Sequence, residues 1–440
     1  MTPLLAALLL AQAAPADAGA IPVSSPPAQA TPPASQSPGA GIASGLTPDQ
    51  LARIQSALQQ QKLDGWLFYD FRGSDLIAYR VLGLDPHGIR TRRWYCFVPA
   101  RGQPQKLVHA IEPHALDGVP GPVATYSSWR IRDRELGRIL RGARRVAMQY
   151  SPRNEIPTVA RVDAGAVELV RGMGPEIVSS AELVARIESV LSAEELASQA
   201  VAAELVAQAQ EATAQEAARR VRAGAPATER ELRDFAQLRM AEQGLVEAGG
   251  IVAVDAHAAD PHSQADDGVA GRNSLLLLDF TGRMNAGPHA IQADLTRVYF
   301  LGEGVPDEIQ RVAAVVFQAR DAAVDLLRQR WPAARPVTGA EVDHAARDVI
   351  ERAGFGDRIL HRTGHSIDVH VHGDGVNNDD FETRDTRRHL ANTCFSVEPG
   401  IYLPNRFGIR SEIDVCLLDG GKVEVRGGEP QRNVPALLAP

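Results

Sequence analysis

The sequence predicts two folded parts, an α/β domain over residues 46–185 and an α+β domain over residues 186–428. Three observations carry this. In the first part, short apolar runs alternate with helical patterns. In the second, helix blocks and strand blocks are segregated, which argues helices on one face of a largely antiparallel sheet. Acidic residues then end or interrupt the apolar strands of that second part, where a buried charge needs a partner.

The chain has 440 residues, 44% hydrophobic and 23% charged, with net charge -8 and a pI of 5.9. That composition suits a soluble globular protein of two or three domains. The negative balance favours neither nucleic acid nor an anionic membrane as partner. Three cysteines, Cys96, Cys394 and Cys416, are too irregularly spaced for a disulfide framework or a zinc ribbon. Each reads as a small buried hydrophobe, with one disulfide left open if the protein is exported.

Leu4 to Ala11 is almost wholly apolar and leads into small residues, the pattern of a secretory signal over residues 1–14. The start, Met1-Thr2-Pro3, supplies no basic residue. At about eight residues the run is too short to span a bilayer, which takes roughly 20. The expectation is export, to a periplasm or beyond the cell, with no membrane span. Residues 15–45 are rich in Pro, Ala, Ser and Gly and read as a linker unable to bury a core. Residues 429–440 read as a tail.

Thr47-Pro48 opens a helix, with Leu51, Ile54 and Leu58 at helical spacing. Gly65 to Tyr69 reads as a buried strand. Further strands are expected at 93–98, 106–109 and 145–149, with a helix near 133–141. No Gly-rich phosphate loop joins a strand to a helix, so nucleotide binding is unsupported. Ser192 with Glu195 is a capping-box pattern for a long helix over 192–222. Helices follow at 227–243, capped near Thr228, and at 306–330 and 339–353. Strands are expected at 250–254, 274–280, 294–300, 394–398 and 411–418.

Asp279, Asp294 and Glu398 each sit against an apolar strand, and alone each reads as a cap or an ion pair. Glu412 alone fits a surface-facing alternation equally well. Together with His365, in the Gly-flanked stretch His361-Arg-Thr-Gly-His365, they make a donor set rich in oxygen with one imidazole. Such a set suits Mn²⁺, Zn²⁺, Co²⁺ or Fe²⁺ better than Ca²⁺. Four carboxylates balance two divalent ions, which at roughly 3.5–4 Å apart can clamp a tetrahedral intermediate.

On the segments His361-x-x-x-His365-x6-His372, Ser396-Val-Glu398-Pro-Gly and Ile409-Arg410-Ser-Glu412, the chain resembles the pita-bread metallopeptidases. That superfamily includes creatinase, aminopeptidase P, prolidase and methionine aminopeptidase. The resemblance covers about residues 46–428 and is strongest from Ala248 to Asp414. It implies a pita-bread catalytic domain behind a creatinase-type α/β domain. It implies metal ligation by Asp279, Asp294, His365, Glu398 and Glu412, with a shared hydroxide attacking the scissile carbonyl. Two metal ions are implied, Mn²⁺ foremost, with Zn²⁺ or Co²⁺ as alternatives. Glu398 would shuttle the proton. His262 and His372 would hold substrate and stabilise the oxyanion. Arg410 would orient the carboxylates. His361 would support the loop, and Tyr402 is a candidate for the site wall. The family's usual step between its aspartates is shorter than the fifteen residues from Asp279 to Asp294. The extra length is expected to widen a hairpin loop and to offer His289 as an additional group near the site.

The substrate implied is an Xaa-Pro peptide, whose tertiary amide has no N–H. The N-terminal domain favours the prolidase and aminopeptidase P side over methionine aminopeptidase. Intact ligands argue against a creatinase. Arg384 and Arg387 are both candidates for binding a dipeptide carboxylate, and a solvated charge run explains them equally well. The leading reading is an Xaa-Pro dipeptidase, with an Xaa-Pro aminopeptidase next. A silent, peptide-binding or partner-binding protein is the reading from another class. The resemblance also implies a homodimer.

Overall fold

Gly65–Asp70 is the middle of a six-stranded sheet, and all six of its residues are buried. It runs antiparallel to Trp94–Pro99 and parallel to Arg145–Met148. Alternation sends Trp66 and Phe68 into one core and Leu67 and Tyr69 into another, as expected of a strand covered on both faces. The computed structural model describes residues 45–88, 90–284 and 289–440. The expected signal, 1–14, and the linker up to residue 44 lie outside the described residues.

The first helix, Pro48–Gln60, opens on the expected cap. Gln50 N donates to Thr47 Oγ1 at 3.2 Å and Thr47 N to Gln50 Oε1 at 2.9 Å. The strands Gln105–His109 and Arg145–Met148 stand where the apolar runs put them. Two edge strands, Val123–Tyr126 and Glu176–Ser179, were not expected. Each has four residues, and Val123–Tyr126 buries only its last, so neither makes an apolar run. The helix expected near 133–141 starts earlier, over Trp129–Ile139, because Ser128 caps it.

The second part contains the long helix Ala193–Arg222 with its Ser192–Glu195 capping box, and the helix Glu229–Glu242 capped by Thr228. Asp307–Arg330 and Gly339–Arg352 follow. One antiparallel sheet runs Ala293–Phe300, Leu275–Met284, Leu245–Val254. Another runs Ser366–Ile367, Thr393–Val397, Ile413–Leu417, Val423–Arg426, and Gly400–Leu403 pairs with Phe407–Arg410 as a hairpin. The helices are divided rather than gathered on one face. Ala193–Arg222 and Glu229–Glu242 share a core with Leu276, Leu278 and Phe280, whereas Asp307–Arg330 and Gly339–Arg352 share one with Leu275, Leu277 and Phe395. The mid-sheet strand Leu275–Met284 is therefore apolar on both faces, and its odd-numbered face carries Asp279. Among the described residues, no helix is long and apolar enough to cross a membrane.

Two glutamines of the long helix, three turns apart on one face, pin the strands beneath. Buried Gln210 donates from Nε2 to the carbonyls of Leu278 at 3.0 Å and Leu295 at 2.6 Å. Buried Gln199 donates to Asp414 Oδ2 at 2.6 Å. The cysteine reading needs correction. Cys394 and Cys416 are not separate hydrophobes but directly opposed residues on neighbouring strands, joined by a disulfide. Cys96 stays free and buried.

Candidate metal centre

Asp279 is not at a strand end, as the apolar run suggested, but inside Leu275–Met284. It pairs with Thr296, and Thr281 pairs with Asp294. The two aspartates are thus diagonal neighbours on one face of the hairpin. Two glycines make room for the site. A Cβ on Gly250, at φ 144°, would lie 1.9 Å from the Asp279 carbonyl oxygen, and one on Gly364 would lie 2.0 Å from the Ser396 carbonyl oxygen. Neither position admits a side chain without moving the strand that carries a donor.

His365 is 2% exposed. Its amide donates to Ser396 Oγ at 3.0 Å, and Nδ1 faces the Ser366 carbonyl at 3.3 Å. That leaves Nε2 towards the carboxylates, 3.4 Å from Glu398 Oε1 and 3.5 Å from Asp294 Oδ2. Glu398 follows Thr393–Val397 and is fixed by its amide bond to the Thr363 carbonyl at 2.7 Å. Glu412 is 3% exposed, which excludes the surface-facing reading. Its Oε2 accepts from Thr296 Oγ1 at 2.7 Å.

The donor set fits divalent metal. Ligand atoms of Asp294, His365 and Glu412 lie within 4.8 Å of one another. Asp294 Oδ1 and Glu412 Oε1 are buried and have no hydrogen-bond partner. Burial pushes both carboxyls well above the ordinary range, and the negative charges of the neighbouring carboxylates push them further. At Glu398 burial also pushes upward, but His365, His361, Arg410 and Arg362 together outweigh it and the net shift is down. Divalent cations supply the compensating charge in such a cluster. A second group within the same distance, Glu229, His257 and Asp267, is of another kind. Glu229 is saturated by the amides of Val254 and Gly268 and by His257, so it anchors the 254–268 loop.

Arg410 is 4% exposed and acts on the carboxylates rather than in the open site. It is ion-paired with Asp279, and its Nε donates to Thr296 Oγ1 at 3.0 Å, which in turn holds Glu412. It also reaches the Pro261 carbonyl at 3.3 Å, which steadies the turn bearing exposed His262. His372 packs edge-on to His365, with ring centroids 4.3 Å apart. His372 is exposed overall, yet that packing desolvates its ring and, with the charges of His365 and Arg362, pushes its pKa down to about 4.

Four expectations are revised. Tyr402 is 1% exposed, with its hydroxyl 2.7 Å from His361 Nε2 and 3.5 Å from Arg410, so it braces the site from behind instead of touching substrate. Arg387, 2% exposed, is ion-paired with Asp385 and donates to the carbonyls of Asp374 and Gly375, which leaves it no face for a carboxylate. Arg384 is bound to Glu155, through its amide at 3.0 Å and its guanidinium at 3.6 Å. His289 pairs with Glu195 at 3.0 Å, at the start of the long helix. Arg362 is not among the residues that the sequence singles out. Its guanidinium has no hydrogen-bond or ion-pair partner among the described residues, and its charge acts on His365, His372 and Glu398. Its place inside the His361–His365 stretch was the available signal.

Fold and donor set define the class, a metal-dependent enzyme whose ligands come from two antiparallel sheets. The profile of metallopeptidase family M24 matches residues 198–418, and the chain belongs to that family. A probable dipeptidase PepE of Mycobacterium tuberculosis is 34% identical over 195 residues, 44% of this chain and 48% of the relative. An Xaa-Pro dipeptidase of Lactobacillus helveticus is 33% identical over 190 residues, 42% of this chain and 46% of the relative. The chain thus spans about half the length of the curated relatives it matches. Among solved structures, dipeptidase PepE of Mycobacterium ulcerans has a TM-score of 0.64 at 22% identity, covering 88% of this chain and 97% of that one. The prolidase of Thermococcus sibiricus has a TM-score of 0.59 at 19% identity, covering 88% and 98%. These likenesses extend the shared fold over the N-terminal sheet as well.

Proposed function

We propose that the protein is an Xaa-Pro dipeptidase, with Asp279, Asp294, His365, Glu398 and Glu412 holding two divalent metal ions, manganese by preference. The convergence of Asp294, His365, Glu398 and Glu412 on one buried point carries the reading. Two divalent ions held by these five residues would supply an activated water and a Lewis acid for the scissile carbonyl. The chain supplies the rest. Glu398, a largely buried donor whose carboxyl is held down by its neighbours, takes the nucleophile's proton and passes it to the leaving proline nitrogen. His372, held neutral at physiological pH against His365, and His262 donate to the oxygen that gains charge. Arg410 holds Asp279 directly and Glu412 through Thr296.

Arg362 takes the role first given to Arg384 or Arg387, reading the dipeptide's carboxylate. Its support is that its guanidinium is free and that its charge reaches His365, His372 and Glu398. Export is part of the proposal. Besides the apolar run Leu4 to Ala11, the disulfide Cys394–Cys416 supports it, because such bonds persist in oxidising compartments. A homodimer is proposed on the family resemblance alone. The test is hydrolysis of Gly-Pro and of a longer Xaa-Pro peptide, with and without Mn²⁺, alongside metal analysis. Mn²⁺-dependent cleavage of Gly-Pro is expected. Cleavage of the longer peptide only would replace the dipeptidase with an aminopeptidase. Stoichiometric metal without any cleavage would leave a binding protein.

A further inference from the structure

The N-terminal sheet carries a second concave feature that shares no residue with the metal centre. A cavity of about 330 Å³ opens between three elements. Phe71 and Arg72 follow the central strand, Arg92 and Arg93 precede Trp94–Pro99, and Trp129 and Arg132 begin the helix Trp129–Ile139. Beside it lies a cavity of about 300 Å³ that shares Arg93 and Arg132 and is walled by Tyr69, Tyr95 and Asp163.

The charge of this cleft is opposite to that of the protein. Four arginines line the first cavity, and no Asp or Glu lines it, in a chain of net charge -8. Among the described residues Arg132, 8% exposed, is ion-paired with Asp133 at 2.6 Å, and the Arg92 amide donates to Glu112 Oε2 at 3.1 Å. Arg92 donates to the carbonyl and hydroxyl of Thr91 at 3.4 and 3.0 Å. The guanidiniums of Arg72 and Arg93 lie over the Phe71 ring, 5.1 and 5.9 Å from its centroid, and pair with no carboxylate among the described residues. Cations held this close repel one another unless an anion joins them. The Arg93 backbone is held in place by the Tyr126 hydroxyl, which donates to its carbonyl at 2.7 Å. The N-terminal end of the helix Trp129–Ile139 adds to the positive field.

Trp129 is 58% and Phe71 40% exposed, with guanidiniums already over one face of each ring, Arg130 4.5 Å from the Trp129 centroid and Arg72 and Arg93 over Phe71. A guanidinium fork recognises a planar or tetrahedral oxyanion through two parallel bonds, and aromatic faces stack on rings. The volume is that of a small-molecule site. We propose that this cleft binds a small organic anion, a phosphate monoester or a carboxylate carried beside a flat ring.

The test is calorimetric titration of the metal-loaded full chain at low salt with AMP, benzoate and inorganic phosphate. At least one of the two ring-bearing anions is expected to bind with a Kd on the order of a millimolar or below. Inorganic phosphate should bind about tenfold or more weakly than AMP. Binding of AMP alone or benzoate alone identifies the acid group and supports the site. The pair Arg72→Ala with Arg93→Ala should weaken binding by about tenfold or more, and Arg93→Lys should weaken it less. Both variants should keep the wild-type thermal transition and Xaa-Pro hydrolysis. Failure of both ring-bearing anions to bind, or unchanged binding in the double variant, overturns the site. Where AMP binds, inorganic phosphate binding as tightly overturns the ring-binding half.

Discussion

Arg80, on the helix Leu76–Val81, is ion-paired with Asp374, two residues beyond His372. Its Nε also donates to Glu188 Oε2 at 2.5 Å, at the end of the helix Ala181–Glu188. From the other side Arg387 holds the carbonyls of Asp374 and Gly375. The turn carrying His372 is therefore clamped by two arginines, one of them from the N-terminal part of the chain. We expect Arg80→Ala to lower kcat by roughly tenfold to a hundredfold while metal content stays at the wild-type level. Arg80→Lys should restore part of the loss. Loss of metal together with activity would show that Arg80 merely supports the fold.

Glu398→Ala should cut turnover by at least about a hundredfold, the usual loss with a general base, and should also weaken metal binding. Peptide hydrolysis and metal analysis on the same sample check both. Near-normal activity would remove Glu398 from the reaction.

If Arg362 reads the carboxylate, Arg362→Ala should raise KM for Gly-Pro by roughly tenfold to a hundredfold, the value of a charge-assisted hydrogen bond. The effect should vanish for a substrate whose carboxyl is amidated. Arg384→Ala should leave both substrates nearly untouched. An equal loss on the free and amidated substrates would refute the assignment.

The disulfide closes a loop that contains Glu398, Arg410 and Glu412. Replacing both cysteines, Cys394→Ser with Cys416→Ser, should lower unfolding stability by about 3 kcal/mol, the order expected for a loop of this length. Chemical denaturation in the absence of reductant measures it. Metal affinity should fall as well, since the loop carries three of the residues that build the centre. An unchanged denaturation midpoint counts against the bond in solution.

Local signals in the sequence were reliable where the physics is local. Thr47, Ser192 and Thr228 each cap a helix through bonds to residues three positions on, so four-residue patterns sufficed. The same holds for the apolar runs of the central strands. Other features depend on partners distant in sequence. The sequence ends the strand through Asp279 at Phe280, because the stretch from Gly282 reads as a hairpin loop, whereas the strand continues to Met284. Cys394 and Cys416 are opposed only because Thr393–Val397 and Ile413–Leu417 pair in one register, and spacing alone carries no register. Arg387 read as a free charge because its saturation by Asp385 and two carbonyls needs a folded turn. Arg362 differs from it only in having no such partners.

The hairpin that carries both aspartates holds its register through eight consecutive pairs, from Leu275 with Phe300 to Gly282 with Ala293. Beyond it, Arg283 and Met284 stay paired with Val246 and Leu245. Both aspartates therefore stand on one continuous ladder, and neither can turn without breaking the pairing that carries the other.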